Sequence, residues 1–390
     1  MPGPLSGLLV ADFSRVLAGP LATMYLADLG ATVVKVERPG TGDDTRIWGP
    51  PWTEQSSAYF EAVNRGKLSV AWDLTDPGDL AEARALAGRA DVLVENFLTG
   101  TMAKFGLAYA DVRATNPGII YASVTGFGSG AGAALPGYDF VAQAIGGLMS
   151  ITGEPAGEGQ KAGVALVDVL TGKDATIGIL AALAARERTG VGEHIEVNLL
   201  SSLLGSLINQ ASGYLTTGVA PKALGNAHPS IAPYEPMQCA DAHLAVACGN
   251  DAQFARLAGA LDLPHLAQDP RFATNAERVA NRPELIARLE ERLRTDTAAR
   301  WEERLLAVGV AAGPVNDLAG AFARARALDL EPTFSVGDRH PDQVRNPILF
   351  SGRPVEPAAP PPGLGEHTAL VEDWLAGPLP IPLPSRPPGA

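Results

Sequence analysis

Residues 8–37, LLVADFSRVLAGPLATMYLADLGATVVKVE, decide the fold class. LLVADFS (8–14) is a short apolar run of strand character, and RVLAGP reads as a loop. PLATMYLADLG (20–30) has helical periodicity, with Pro20 at the expected first position and Gly30 past the end. ATVVKVE (31–37) is a second strand that ends in an acid, Glu37. Working outward, the same alternation returns: LSVAWDL (68–74) as strand, PGDLAEARALAGRA (77–90) as helix, DVLVENF (91–97) as strand, a helix around 101–115, and GIIYASVTGFG (118–128) as strand. Strands alternating with helices predict a largely parallel sheet covered by helices, an α/β fold.

Beyond this, AGVALV reads as strand-like and runs into Asp168, followed by a long helix, VLTGKDATIGILAALAARERTG, and a strand, EHIEVNLL (193–200). The character changes near 216, where TTGVAPKALGNAHPSIAPYEP is rich in Gly, Pro and Ala and reads as a crossing between domains. A smaller module over 235–320 starts with a strand pair in PMQCADAHLAVACG and continues in helices, one of them (282–309) broken in the middle. The tail from 350 is proline-rich and then carries a short amphipathic segment, EHTALVEDWLAG.

Composition narrows the function. The 390 residues carry a formal charge of −13 without any basic run, which argues against a nucleic-acid surface. The longest apolar stretch, IGILAALAA (177–185), is too short to cross a bilayer, and the N-terminus lacks signal-peptide character, so cytoplasmic residence is expected, with no membrane partner. Two cysteines, Cys239 and Cys248, fit neither a zinc pattern nor a disulfide framework and are expected to be packed thiols. The six histidines have no metal-ligand spacing, so no metal site is expected.

Several chemistries fail on their motifs. The turn after the first strand is SRVLAGP, not the G-x-G-x-x-G that a dinucleotide pyrophosphate needs. There is no G-x-x-x-x-G-K-[ST] and no G-x-S-x-G. Asp168 remains, a carboxylate in an apolar run at a helix start. One reading is a helix N-cap worth about 1 kcal/mol. The other is a carboxylate kept ionised by the helix N-terminus and able to attack an activated acyl group. Local sequence leaves both open.

The stretches LAGPLATMYLADLGATVVKVERPGTGDDTRIWGPP, NRGKLSVAWDL, ADVLVENF, GYDFVAQAIGGLMSITG, AGVALVDVLTG and PPPGLGEHT together resemble the family III CoA-transferases, the CaiB/BaiF group. The resemblance covers nearly the whole chain. RVLAGPLATM, ERPGTGDDTRIWGPP, GLMSITG, AHPSIAPY and GNDAQFA are most similar to the succinate–hydroxymethylglutarate branch.

The resemblance implies a Rossmann-like CoA-binding domain over 1–215 and 325–390, a smaller α+β domain over 226–320, and an interlocked, ring-like homodimer. It makes Asp168 the nucleophile, forming aspartyl–acyl anhydride and aspartyl–CoA thioester intermediates. It implies acyl-CoA, such as succinyl-CoA, and a carboxylic or dicarboxylic acid as substrates, and no tightly bound cofactor. CoA contacts carried over by position are Val16, Ala18, Arg38, the main chain of Trp72, Asp73, Leu74 and Thr75, then Asn96, Phe97, Lys104 and Tyr138. Asp139, beside Tyr138, is expected to be structural, and Arg46, His228, Ser230 and Tyr234 are candidate acceptor contacts.

Departures refine this. The family's ENFRPG is ENFLTG here, so Leu98 cannot supply the arginine's charge. Leu17 stands where formyl-CoA/oxalate enzymes have glutamine, and their tetraglycine loop is missing. Related racemases use a histidine in GHD where this chain has GYD, which disfavours two-base proton transfer. An acyl-CoA racemase and a CoA-binding protein without turnover are the alternatives.

Overall fold

The computed structural model describes residues 3–351 and 359–377. Most of the proline-rich tail (352–358) and the last residues (378–390) lie outside this range. The chain divides into two compact units. The larger is formed by 1–148, 162–218 and the described part of 331–390; the smaller, by 219–330, also takes in 149–161, which the periodicity does not mark.

The larger unit is built on six strands, β1 (Leu9–Asp12), β2 (Thr32–Glu37), β3 (Lys67–Ala71), β4 (Val92–Glu95), β5 (Ile120–Thr125) and β6 (Glu193–Asn198). Every pairing is parallel and the order is β3-β2-β1-β4-β5-β6. This is the doubly wound order, in which the chain leaves β1 first to one side and later to the other.

Its helices are α1 (Ala18–Asp28), α2 (Ala58–Asn64), α3 (Pro77–Arg89), α4 (Thr101–Lys104), α5 (Tyr109–Thr115), α6 (Asp139–Ile145), α7 (Leu148–Ile151, where the chain passes into the smaller unit), α8 (Leu166–Thr189), α9 (Leu199–Ser206) and α10 (Ile208–Thr217). Alternation along the strands sends side chains to two cores. Leu9, Ala11, Val34, Leu93 and Tyr121 pack with α3 and with Val371 and Leu375, from a helix over Thr368–Ala376. Val10, Val33, Val92, Val94 and Ile120 pack with Leu26 of α1 and with Ile179, Ala182 and Leu183 of α8.

Several boundaries differ from expectation, each for a local reason. α1 starts at Ala18, so Pro20 is its third residue; the first-turn N–H groups have no helical acceptor, and proline is tolerated there. The single helix expected over 101–115 is two, parted at Gly106, whose φ of +61° favours glycine. The strand expected to 200 stops at Asn198, which caps α9 through its side chain to the Ser201 N–H. AGVALV forms no strand, and α8 begins two residues before Asp168.

In the smaller unit β7 (Tyr234–Gln238), β8 (His243–Ala247) and β9 (Ala311–Pro314) form an antiparallel sheet, and α11 (Asp251–Ala260) to α15 (Leu318–Ala327) follow the hairpin. α12 covers Asn275–Ala280, α13 Arg282–Leu293 and α14 Ala298–Ala307. The break expected in 282–309 falls between α13 and α14, where Thr297 caps α14. Both cysteines are buried in this unit's core, with Trp301 and Phe254.

Candidate active site

In a doubly wound sheet the crevice opens at the carboxyl ends of the strands where the order reverses, here between β1 and β4. A cavity of about 200 Å³ lies there, lined by residues 15–18 after β1, 96–99 after β4, 124–128 at the end of β5, the 132–138 loop, and Asp168. Two glycines permit this arrangement. A Cβ on Gly126 would stand 2.6 Å from the Gly137 Cα, so the two lining loops touch backbone to backbone. A Cβ on Gly172, one turn after Asp168, would meet the Ala18 carbonyl at 2.7 Å. The close approach of α8 to α1 therefore sets Asp168 against the 15–18 loop.

That loop is held from three sides. Asn96 accepts from the Arg15 N–H at 2.9 Å and donates to the Arg15 carbonyl at 2.7 Å. Asp43 accepts from the Val16 N–H, and Lys35 donates to both the Ser14 carbonyl and Asp43 at 2.8 Å. Lys35 and Asp43 are fully buried; burial alone would raise the Asp43 carboxyl, but the Lys35 ammonium and the Thr45 donors hold it down at about 2. Val16 itself has φ +70°, left-handed backbone that a β-branched residue avoids without such constraint.

Asp168 is the third residue of α8, not its N-cap. The cap position, Ala165, has no side chain that can serve, and the work is done from another helix. Asp139, first residue of α6, accepts from the Val167 N–H at 2.7 Å and the Asp168 N–H at 3.2 Å. Among the described residues no donor reaches the Asp168 carboxylate itself. The helix N-terminus donors are therefore not on its carboxylate, contrary to both local readings of the sequence, the cap and the carboxylate kept ionised by the helix N-terminus. Burial, and then the Asp139 charge, push its carboxyl up to about 7. The half-buried Tyr59 phenol on α2 feels the same charges: burial, then Asp168, Asp139 and Asp43, push it up to about 12.

Of the residues expected from the sequence, Val16, Ala18, Asn96, Phe97, Tyr138 and Asp168 share the cavity. Asn96 does so with its amide fully engaged by Arg15. Arg38 and Trp72–Thr75 do not line it, though each follows the carboxyl end of a parallel strand, β2 or β3, on the same rim of the sheet. Arg38 pairs with Asp44 at 2.8 Å, and Asp44 in turn pairs with Arg15 at the cavity wall. The Trp72 side chain is core, its indole N–H donating to Glu372. Leu74 packs against the same core, and Asp73 accepts from the Thr75 N–H and hydroxyl. Lys104 is exposed at the end of α4 and lines no cavity described here.

Arg46 lies outside the site: it forks onto Glu37 at 2.7 and 2.8 Å and stacks on Phe60, because Glu37 is buried and needs a partner. His228, Ser230 and Tyr234 belong to the smaller unit, where the Ser230 N–H donates to His228. Sequence reasoning missed Arg15, the only cation lining the cavity among the described residues, whose signal was its place shortly after β1 at the crevice. It also missed Tyr59, which no local signal marked.

Among the described residues no cluster of His, Cys, Asp or Glu could hold a metal, and no helix is long and apolar enough to cross a membrane. Comparison with known proteins then places the chain. The family described as CoA-transferase family III matches residues 5–368. A succinate–glutarate CoA-transferase of Agrobacterium fabrum is 45% identical, with 94% of each chain covered. An acetyl-CoA:oxalate CoA-transferase of Acetobacter aceti is 43% identical, covering 96% of this chain and 97% of that one. The crystal structure of a CaiB/BaiF family protein from Brucella suis superposes with a TM-score of 0.87 at 44% identity, covering 96% of this chain and 100% of that one. The chain belongs to family III of the CoA-transferases and is an enzyme of that class, whose substrates are CoA thioesters.

Proposed function

We propose that this family III CoA-transferase moves CoA from succinyl-CoA to a dicarboxylate, with Asp168 as nucleophile. The observation that carries the reading is Asp168: a carboxylate facing a cavity at the sheet's crevice, without hydrogen-bond donors and with its carboxyl raised to about 7. Such a group is more basic, and so a better nucleophile, than an ordinary carboxylate. One Asp168 oxygen attacks the thioester carbonyl; the C–S bond breaks and CoA leaves as thiolate, giving a mixed anhydride. The thiolate attacks the aspartyl carbonyl and succinate leaves with the electron pair of the broken C–O bond. The acceptor carboxylate reverses the two steps and frees Asp168. At the first turn of α1, which begins at Ala18 on the same wall, backbone N–H groups without helical acceptors are suited to a developing oxyanion.

CoA would run from Asp168 past Val16, Ala18 and Tyr138 along the carboxyl rim, by Asn96 and Phe97, to Arg38, the main chain of Trp72–Thr75 and Lys104. Arg15 would pair with the acceptor's distal carboxylate, which is why a dicarboxylate is favoured. The named relatives support both a succinyl donor and dicarboxylate acceptors, glutarate in one and oxalate in the other. The homodimer is part of the proposal. Phe140 and Ile145 on α6 and Ile208 and Leu215 on α10 are each more than half exposed, an apolar surface suited to a second copy.

The test is mass spectrometry after incubation with succinyl-CoA, with hydroxylamine trapping and peptide mapping. An adduct at Asp168, absent in Asp168→Ala and discharged by glutarate or oxalate, supports the reading. An adduct formed only with another acyl-CoA changes the donor. No adduct with any acyl-CoA defeats the nucleophile. Exchange of a substrate α-hydrogen with solvent deuterium would favour the racemase instead.

A further inference from the structure

A second carboxylate that the reaction does not use follows directly after Tyr138 of the cavity lining. Asp139 stands at the first position of α6, and both its oxygens are occupied. Oδ1 takes the N–H groups of Val167 and Asp168, at 2.7 and 3.2 Å, across 28 and 29 residues of chain. Oδ2 accepts from Gln143 Nε2 at 2.7 Å, one turn further along α6. Gln143 is fully buried, and its own oxygen accepts from the Ala162 N–H at 2.8 Å. The first turn of α6, the 162–165 segment and the first turn of α8 are thus tied by two side chains, and Ala142, Val167, Leu199 and Leu203 pack around the join.

We propose that Asp139, held by Gln143, is a positioning residue for the nucleophile: it anchors the first turn of α8 and takes the N–H groups that would otherwise serve the Asp168 carboxylate. The inference rests on the reading of Asp168 as nucleophile. The geometry has two consequences. A carboxylate at the third position of a helix ordinarily gains from the free N–H groups and the positive end of the dipole. Here Asp139 already occupies those donors and places its own negative charge beside them. Among the described residues Asp168 therefore faces the cavity without donors, so nothing offsets its burial, and the like charge of Asp139 adds to that rise.

The other ionisable groups near Asp168 do not supply this. Arg15 and Asp44 in the cavity lining pair with each other at 3.1 Å, and the Tyr59 phenol is pushed up to about 12, so it carries no charge near neutral pH. In contrast with a residue that merely packs, Asp139 acts through charge as well as position, and the two can be separated. Asp139→Asn keeps an oxygen for the two N–H groups and removes the charge; Asp139→Glu keeps the charge and shifts the oxygen.

The experiment reads the titration midpoint of Asp168 without substrate, as the pH at which the growing stability difference between Asp168→Asn and its Asp168 parent levels off. It is done in the Asp139, Asp139→Asn and Asp139→Glu backgrounds. The midpoint is expected near 7 with Asp139. It should fall by more than about one pH unit with asparagine, and stay high with glutamate. The acylation rate with succinyl-CoA, measured on the same proteins, should fall in both single variants, but its pH profile should move only in Asp139→Asn. An unchanged midpoint in Asp139→Asn overturns the proposal. If that variant does not fold, the ¹³Cγ titration of Asp168 in the aspartate-labelled native protein decides instead: a midpoint at the ordinary carboxylate value overturns it, and one near 7 supports it. Absence of any adduct in the native protein would defeat the nucleophile while leaving the midpoint comparison intact, so the two failures are told apart.

Discussion

Asp168→Asn should make the protein more stable above neutral pH and leave it unchanged near pH 4. In the unfolded chain this carboxyl titrates near 3.8, and in the folded protein near 7. Between those values the folded state holds a proton that the unfolded state has lost, so the contribution of Asp168 to stability is full below 3.8 and declines as pH rises, levelling off above about 7. At ~1.4 kcal/mol per pH unit, a rise of about three units amounts to at most about 4 kcal/mol. Asparagine does not titrate and loses nothing over this range. The expected difference in unfolding free energy therefore grows from near zero at pH 4 to at most about 4 kcal/mol in favour of the variant above pH 8. Calorimetric Tm values of the two proteins at half-unit steps from pH 4 to 8.5 would measure it. A difference that does not change with pH, or one that favours the native aspartate at high pH, would mean that the carboxylate is held ionised as a capping residue would be, and would refute the account of the site.

Two further outcomes follow from the cavity wall. Arg15→Ala removes the cation that lines it, and loss of one charged hydrogen bond, worth ~1.5–3 kcal/mol, should raise the KM for a dicarboxylate acceptor by about 10- to 100-fold. Discharge of the enzyme–CoA species by hydroxylamine should be unaffected; an equal loss with both would place Arg15 outside acceptor binding. Val16→Gly relieves left-handed strain of about 1–2 kcal/mol at φ +70°, against a gain of similar size in unfolded-chain freedom. Its Tm should stay close to native while the acylation rate falls, since the loop loses the conformation that Asp43 and Lys35 enforce; an unaltered rate would show that the strain serves nothing.

The parallel sheet was legible because each strand is a short apolar run bounded by turn residues and each intervening stretch has helical spacing. Even the place of the Trp72 side chain could be read, since Leu68, Val70 and Trp72 share one parity and one core. The site was legible only in part. Val16, Ala18, Asn96 and Phe97 follow strand ends and so reach the crevice, as does Arg15, which the same argument would have found. What could not be read locally was any contact made across the fold. The side chains of Arg46 and Asn96 look free in sequence, but buried or backbone partners, Glu37 for one and Arg15 for the other, occupy them.

Asp139 and Asp168 are the instructive pair, because local sequence does not say which of them caps α8. Asp168 precedes the strongest helical stretch, and one reading makes it the cap; Asp139 begins a short helix of its own. In the folded chain Asp139 is the cap, and Asp168 carries the raised carboxyl. This arrangement bears on the proposed chemistry. In a mixed anhydride between Asp168 and succinate, the thiolate can attack either carbonyl, and the carboxylate with the more acidic conjugate acid leaves more readily. An Asp168 carboxyl near 7 is a poorer leaving group than a free dicarboxylate. Under the proposed mechanism attack would thereby be directed to the aspartyl carbonyl and succinate expelled, so the enzyme would come to rest as the CoA thioester of Asp168, with the energy of the donor thioester kept until an acceptor arrives. A capped, fully ionised Asp168 would divide less favourably and return more often to succinyl-CoA. Placing the helix donors on Asp139 would give a single aspartate both properties the proposed exchange needs, strong attack and reluctant departure.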